Sequence, residues 1–242
     1  MPAEIPTILA TSGGLKSGRN TTFEFGQLSD YAIELSGVSG RRPRVCFVGT
    51  ATGDAAHWIA GFYDAGRIRG VDMSHLALFT MPNVEDVTAH LLEQDVVWVG
   101  GGSVAGLLAM WRLHGVDAAM RTAWRSGVVL TGVSAGSLCW HVGGTTDSFG
   151  PDLRPVTNGL ALVPYSNGVH YDTEEQRRPM YRTLVADEIL PPGYATDNGV
   201  GIVYRDTEFV EAVSESDEKA AYYVERGPDG AAVETRIEPR RL

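Results

Sequence analysis

Gly132-Val133-Ser134-Ala135-Gly136 has the form G-x-S-x-G, follows the apolar-leaning residues 127–131 and precedes a helix-like stretch. A serine on such a strand-to-helix turn is pushed out of the backbone, with helix N-terminal amides beneath it. The chemistry on offer is attack of the serine hydroxyl on a carbonyl carbon. That attack needs a base for the hydroxyl proton, a group that orients the base, and donors for the developing oxyanion.

The base must come from six histidines. His57, His75 and His90 lie upstream in ordinary helix or strand surroundings, and His114 sits at a helix break before Gly115. His141 is seven residues past Ser134; if the helix continues, it is about 10 Å away, beyond hydrogen-bond reach. His170 follows Asn167-Gly168-Val169 and the strand-like run 159–163. It is therefore expected at a strand end on the same sheet edge as Ser134.

Three aspartates compete to orient His170. Asp147 lies in the loop of residues 143–151, Asp172 is two residues past the histidine, and Asp197 lies in Ala195-Thr196-Asp197-Asn198-Gly199. The amide of Ala135, directly after the nucleophile, is one expected oxyanion donor. A second is expected from Gly100-Gly101-Gly102-Ser103, where three glycines let backbone approach a substrate closely. This run matches neither G-x-G-x-x-G nor a phosphate-binding loop with its Lys-Ser/Thr.

These residues need a scaffold that brings strand ends to one edge. Short apolar runs at residues 5–10, 44–48, 75–79, 96–99 and 128–131 read as strands. Helix-like stretches at 23–36, 55–65, 84–93 and in two pieces across 104–124 separate them. The alternation predicts an α/β fold with a doubly wound, mostly parallel sheet, whose sites form at the carboxyl ends of strands. From Gly201 onward the pattern changes to antiparallel strands, with 220–225 and 232–237 as a terminal hairpin. With no repeat or linker in its 242 residues, the chain reads as a single domain over 1–242.

Composition narrows the function classes. A net charge of −10 disfavours nucleic acid and anionic membrane as partners. Cys46 and Cys139 sit in apolar runs and are expected as buried free thiols. No Cys/His cluster has zinc spacing, and serine attack with a histidine base needs neither metal nor organic cofactor, so none is expected. The first residues lack a basic segment followed by a long apolar one, and no apolar run reaches membrane-spanning length. A cytoplasmic protein, monomeric or homodimeric, is expected.

Together, Val99-Gly100-Gly101-Gly102, Gly132-Val133-Ser134-Ala135-Gly136-Ser137, Thr145-Thr146-Asp147 and His170-Tyr171 resemble the peptidase E family of serine peptidases. These aspartyl dipeptidase-like enzymes are relatives of class I glutamine amidotransferases and cyanophycinases. The resemblance runs from about Arg44 to Arg182. It implies a flavodoxin-like sheet with a nucleophile elbow, Ser134 as nucleophile, His170 as base and Asp147 as acid, with Gly102 and Ala135 supplying oxyanion amides. Asp172 and Asp197 fall near the acids of the amidotransferases and cyanophycinases, respectively, and remain alternatives. Ser103 stands where peptidase E proper carries Asn, and Glu174 where the family carries an arginine that receives a substrate aspartate. With Glu174 there, and only Arg177 or Arg178 to replace the arginine, weak action on Asp-X dipeptides is expected. The reading is a serine exopeptidase, a dipeptidase acting on short peptides through an acyl-enzyme. A cyanophycinase-like amide or isopeptide hydrolase and an inactive ligand-binding module are its rivals.

Overall fold

Strands in the N-terminal half carry apolar side chains on both faces, so the sheet they form is covered on both sides. The computed structural model describes residues 3–242. In chain order its elements are β1 (Thr7–Thr11), β2 (Leu15–Ser17), β3 (Phe23–Phe25), α1 (Gln27–Leu35), β4 (Arg44–Val48), α2 (Ala56–Arg69), β5 (Asp72–Leu76), α3 (Val87–Leu92), β6 (Val96–Val99), α4 (Val104–His114), α5 (Val116–Arg125), β7 (Val129–Val133) and α6 (Ala135–Leu138). They continue as β8 (Gly143–Thr146), β9 (Arg154–Val156), β10 (Ser166–Gly168), α7 (Arg177–Ala186), β11 (Gly193–Thr196), β12 (Val200–Arg205), β13 (Glu208–Ser214), β14 (Ala221–Arg226), β15 (Ala232–Ile237) and β16 (Arg240–Arg241).

The main sheet has the order β16-β13-β12-β1-β7-β6-β4-β5. Strands β1, β7, β6, β4 and β5 are parallel neighbours, and β12 and β13 extend the sheet antiparallel beyond β1. The expected doubly wound, mostly parallel sheet with antiparallel C-terminal strands is therefore present. Ile8, Cys46, Val48, Val97 and Leu130 pack in one core with Leu107, Trp111 and Met120 of α4 and α5. Their alternates Leu9, Val45, Phe47, Trp98 and Val129 pack in a second core with Leu28 of α1, Phe62 of α2 and Phe23 and Phe25 of β3. Burial on both faces is the condition under which parallel strands read as continuous apolar runs.

A second sheet, ordered β15-β14-β11-β10-β8-β9, lies outside the sequence reading. Its parallel strands β8, β10 and β11 are three or four residues long and mix glycine with polar residues, so they leave no apolar run. The terminal hairpin forms as β14 and β15, paired from Ala221↔Ile237 to Arg226↔Ala232, and joins this second sheet through β11.

Most expected elements form with their ends moved, as in Thr7–Thr11 for 5–10, Ala56–Arg69 for 55–65 and Val87–Leu92 for 84–93; three differences have a clear physical reason. The helix expected over 23–36 starts only at Gln27, because Phe23-Glu24-Phe25 alternates as a strand paired with β2 and Gly26 is extended. The strand expected at 75–79 is Asp72–Leu76, and the amides of Leu78 and Phe79 donate instead to the Asp54 carboxylate. The run 159–163 is not a strand. Leu160 and Leu162 donate to the Cys139 and Trp140 carbonyls at the end of α6, and the strand before His170 is Ser166–Gly168. Cys46 and Cys139 are free and buried, as expected.

Candidate active site

The elbow is set by close packing between β6 and the start of α6. A Cβ at Gly136 would lie 2.2 Å from the Val99 carbonyl oxygen, and one at Gly132 would lie 2.6 Å from the Gly136 oxygen. Both glycines are therefore required by approach distance. Between them Ser134 adopts φ 56° and ψ −112°, and its amide donates to the Thr11 carbonyl of β1 at 3.2 Å. A non-glycine residue at positive φ is strained, and such strain concentrates at functional sites. The triple-glycine loop after β6 passes directly over the serine. A Cβ at Gly101 would sit 3.3 Å from Ser134 Cβ. Gly102 has φ +133°, and a Cβ there would meet the Ala51 oxygen at 2.4 Å. Ser103 turns its polar groups into the fold, its amide donating to Ala51 at 2.9 Å and its Oγ capping α4 through the Gly106 amide at 3.1 Å.

His170 lies two residues past β10, also at positive φ, 54°. Its amide donates to Ser12 Oγ at 3.1 Å, and Ser12 Oγ is 2.7 Å from Thr196 Oγ1. The imidazole is oriented by Asn198, whose Oδ1 lies 2.5 Å from Nδ1. A carboxamide oxygen in that position accepts the Nδ1 proton and leaves Nε2 as an acceptor. Ser134 and His170 line the same cavity of about 220 Å³. They do not hydrogen-bond to each other; catalytic contacts of this kind commonly tighten only when substrate binds.

None of the three candidate aspartates hydrogen-bonds to the His170 ring, whose partner is Asn198. Asp147 is exposed beyond β8 and lines a separate surface cavity with Glu174, Glu175 and Gln176. Asp172 stands one step behind the ring, accepting from the Asn198 amide at 2.8 Å and from Lys219 Nζ at 2.6 Å. Burial pushes its carboxyl up, but those bonds outweigh burial and hold it below its usual value. Asp197 accepts from the Ala220 amide at 3.0 Å, and its carboxyl is raised by burial. The position expected for an acid is thus filled by an amide, with Asp172 fixing the backbone that carries it.

The substrate-binding expectation for Glu174 and Arg177 is also corrected. Arg177 is buried, donating to Glu174 at 2.7 Å and to the Thr145 carbonyl at 2.7 Å, so the pair closes the base of α7. Arg178 pairs with Glu234 at 2.6 Å and lies over the rings of Tyr171 and Tyr222. Neither arginine reaches the Ser134 cavity. Among the described residues no group of three or more His, Cys, Asp or Glu side chains is placed to hold a metal ion, and no helix is long and apolar enough to cross a membrane.

Two site residues were not foreseen. Ser12 follows β1 in Thr11-Ser12-Gly13-Gly14, a glycine turn at a strand's carboxyl end. Asn198 sits beside the aspartate that was singled out. Thr196-Asp197-Asn198-Gly199 marks a turn, but Gly199, at φ +79°, lies in its second half, and that alone does not say which of the two polar side chains faces the histidine.

His170 is not on the sheet edge expected for it: it follows β10 of the second sheet, whereas Ser134 follows β7 at the carboxyl edge of the main sheet, and the two meet on one cavity. A serine on a strained elbow facing a histidine in this way defines a serine hydrolase of the nucleophile-elbow type. The chain belongs to peptidase family S51, whose sequence model matches residues 8–212, and it is a serine-type peptidase. It is 39% identical over 197 residues to the uncharacterized peptidase YgaJ of Bacillus subtilis (strain 168), covering 81% of this chain and 84% of that protein. Two solved structures share the fold. A peptidase E protein from Listeria monocytogenes EGD-e superposes with TM-score 0.62 at 18% identity, covering 88% of this chain and 100% of the other. A peptidase from an acI-B1 Actinobacterium gives TM-score 0.67 at 15% identity, covering 97% and 95%.

Proposed function

We propose that the protein is a serine exopeptidase, a dipeptidase that hydrolyses short peptides through an acyl-enzyme. The observation that carries this reading is the shared cavity of Ser134 and His170, two residues held at positive φ, with His170 Nδ1 fixed by Asn198. Ser134 Oγ attacks the scissile carbonyl carbon while Nε2 of His170 takes the hydroxyl proton. The amides of Gly102 and Ala135 hold the oxyanion; among the described residues neither has an acceptor within the protein. Collapse of the tetrahedral intermediate breaks the C–N bond, and the imidazolium gives its proton to the leaving amine. Water, deprotonated by the same nitrogen, then attacks the ester and releases the acid and Ser134. A small-peptide substrate is all the partner this cycle needs. In a dipeptide panel, Ser134→Ala is expected to lower kcat by at least about 10³-fold with an unchanged circular dichroism spectrum. Undiminished turnover would overturn the assignment.

A further inference from the structure

The cavity beside Ser134 has an aromatic wall that the hydrolytic steps do not use. Phe47 of β4, Trp98 of β6, Phe62 and Trp58 of α2 and Leu15 of β2 line it. These rings belong to the second core and are mutually braced. Phe47 and Phe62 stack with centroids 3.9 Å apart, and Phe62 meets Trp98 at 4.6 Å. Trp98 is pinned by a bond from Nε1 to Ser29 Oγ at 3.2 Å. The wall is thus a rigid extension of the core that opens onto the nucleophile. No carboxylate, ammonium or guanidinium lines it.

Resting on the peptidase reading above, we propose that this cavity receives the side chain of the residue whose carbonyl Ser134 attacks, and that this side chain is large and apolar: leucine, methionine or phenylalanine. Size fits. An apolar cavity of about 150 Å³ already admits a benzene ring, and this one measures about 220 Å³. Charge fits as well, because a substrate carboxylate placed here would be desolvated with no cation to meet it. His170 closes one rim of this cavity, and the sheet order separates that rim from the aromatic wall, which assigns the wall to the acyl side. The leaving amine must face His170, which protonates it, and the backbone of His170 hangs from Ser12, beyond β1. The aromatic wall rises from β6 and β4, on the opposite side of β7.

The test is a panel of X-Ala dipeptides and X-p-nitroanilides with X as Leu, Met, Phe, Ala, Asp and Lys. It is run beside labelling of wild type and Ser134→Ala with a fluorophosphonate probe. The expected result is kcat/KM at least about 10-fold higher for Leu, Met and Phe than for Ala, Asp or Lys. Trp58→Ala, at a partly exposed wall position, is expected to shrink the Phe-to-Ala ratio about 10-fold, mainly through KM. If wild type labels at Ser134 yet cleaves Ala or Asp substrates as well as Leu and Phe, the apolar pocket is refuted and the peptidase reading stands. If Ser134 neither labels nor supports cleavage of any peptide, the peptidase reading fails and takes the pocket with it. A Trp58→Ala variant with wild-type ratios also counts against the pocket.

Discussion

Asn198 meets His170 with an oxygen that carries no charge. A carboxylate there would both fix the tautomer and stabilise the imidazolium; an amide does the first and only weakly the second. Orientation is then the service that Asn198 supplies, and its own position depends on Asp172, which binds the Asn198 amide and the Lys219 ammonium. Asn198→Ala frees the ring to take the other tautomer and is expected to cost about 100-fold in kcat with little change in KM. Asp172→Asn should be milder, since one backbone bond and one ion pair are weakened while the Asn198 side chain remains. Asp147→Asn should stay near wild type, because Asp147 is exposed in another cavity. Steady-state kinetics on the best dipeptide separates the three, and a largest loss at Asp147 would return the triad to the arrangement that the family resemblance implies.

At the scale of elements, the elbow is a matter of how close α6 comes to β6. The Gly136 Cα faces the Val99 carbonyl so closely that a methyl group would fall 2.2 Å from its oxygen. That oxygen is backbone in a central strand and cannot swing aside. Gly136→Ala is therefore expected to destabilise the protein by about 3 kcal/mol, read as a lower urea midpoint, and to abolish fluorophosphonate labelling by displacing Ser134. An unchanged midpoint would mean that the approach is looser than this packing implies. Such features were legible in the sequence because they are local: glycine, serine and glycine at fixed spacing after an apolar run leave few other structures. Residues 44–48, 96–99 and 128–131 were legible for the same reason, each run being buried apart from Arg44. What stayed illegible depends on partners far along the chain. Strands β8, β10 and β11 have too few apolar residues to announce themselves and exist by pairing with one another. Phe47 and Trp98 read as core strand residues. Their reach to the nucleophile appears only when α2 brings Phe62 and Trp58 alongside.

On the scale of the whole molecule, the two sheets meet around a histidine that catalysis does not use. His141 follows α6 and is fully buried. Nδ1 is 2.9 Å from the Ser137 carbonyl, and Nε2 is 3.1 Å from the hydroxyl of Tyr204 on β12. Nδ1 therefore carries the proton and Nε2 accepts from the tyrosine, which itself packs against Tyr165 and against Tyr194 of β11. A second proton would turn Nε2 into a donor facing that hydroxyl, and would place a charge where no carboxylate is bonded to it. Burial accordingly lowers this histidine from 6.5 to about 4. Below pH 6.5 the unfolded chain takes up a proton that the folded protein refuses, so the unfolded state binds more protons and stability falls with pH. The contribution is complete above pH 6.5 and is lost as pH falls toward 4, at a limiting slope of about 1.4 kcal/mol per pH unit and roughly 3 kcal/mol in all. Urea unfolding of wild type and His141→Gln between pH 7 and pH 4 isolates the effect, because the carboxylates titrate alike in both proteins. The glutamine variant is expected to start less stable at pH 7 and to lose less on acidification, so that the two curves converge. Parallel curves across that range would show that the joint between the sheets tolerates a charged imidazole.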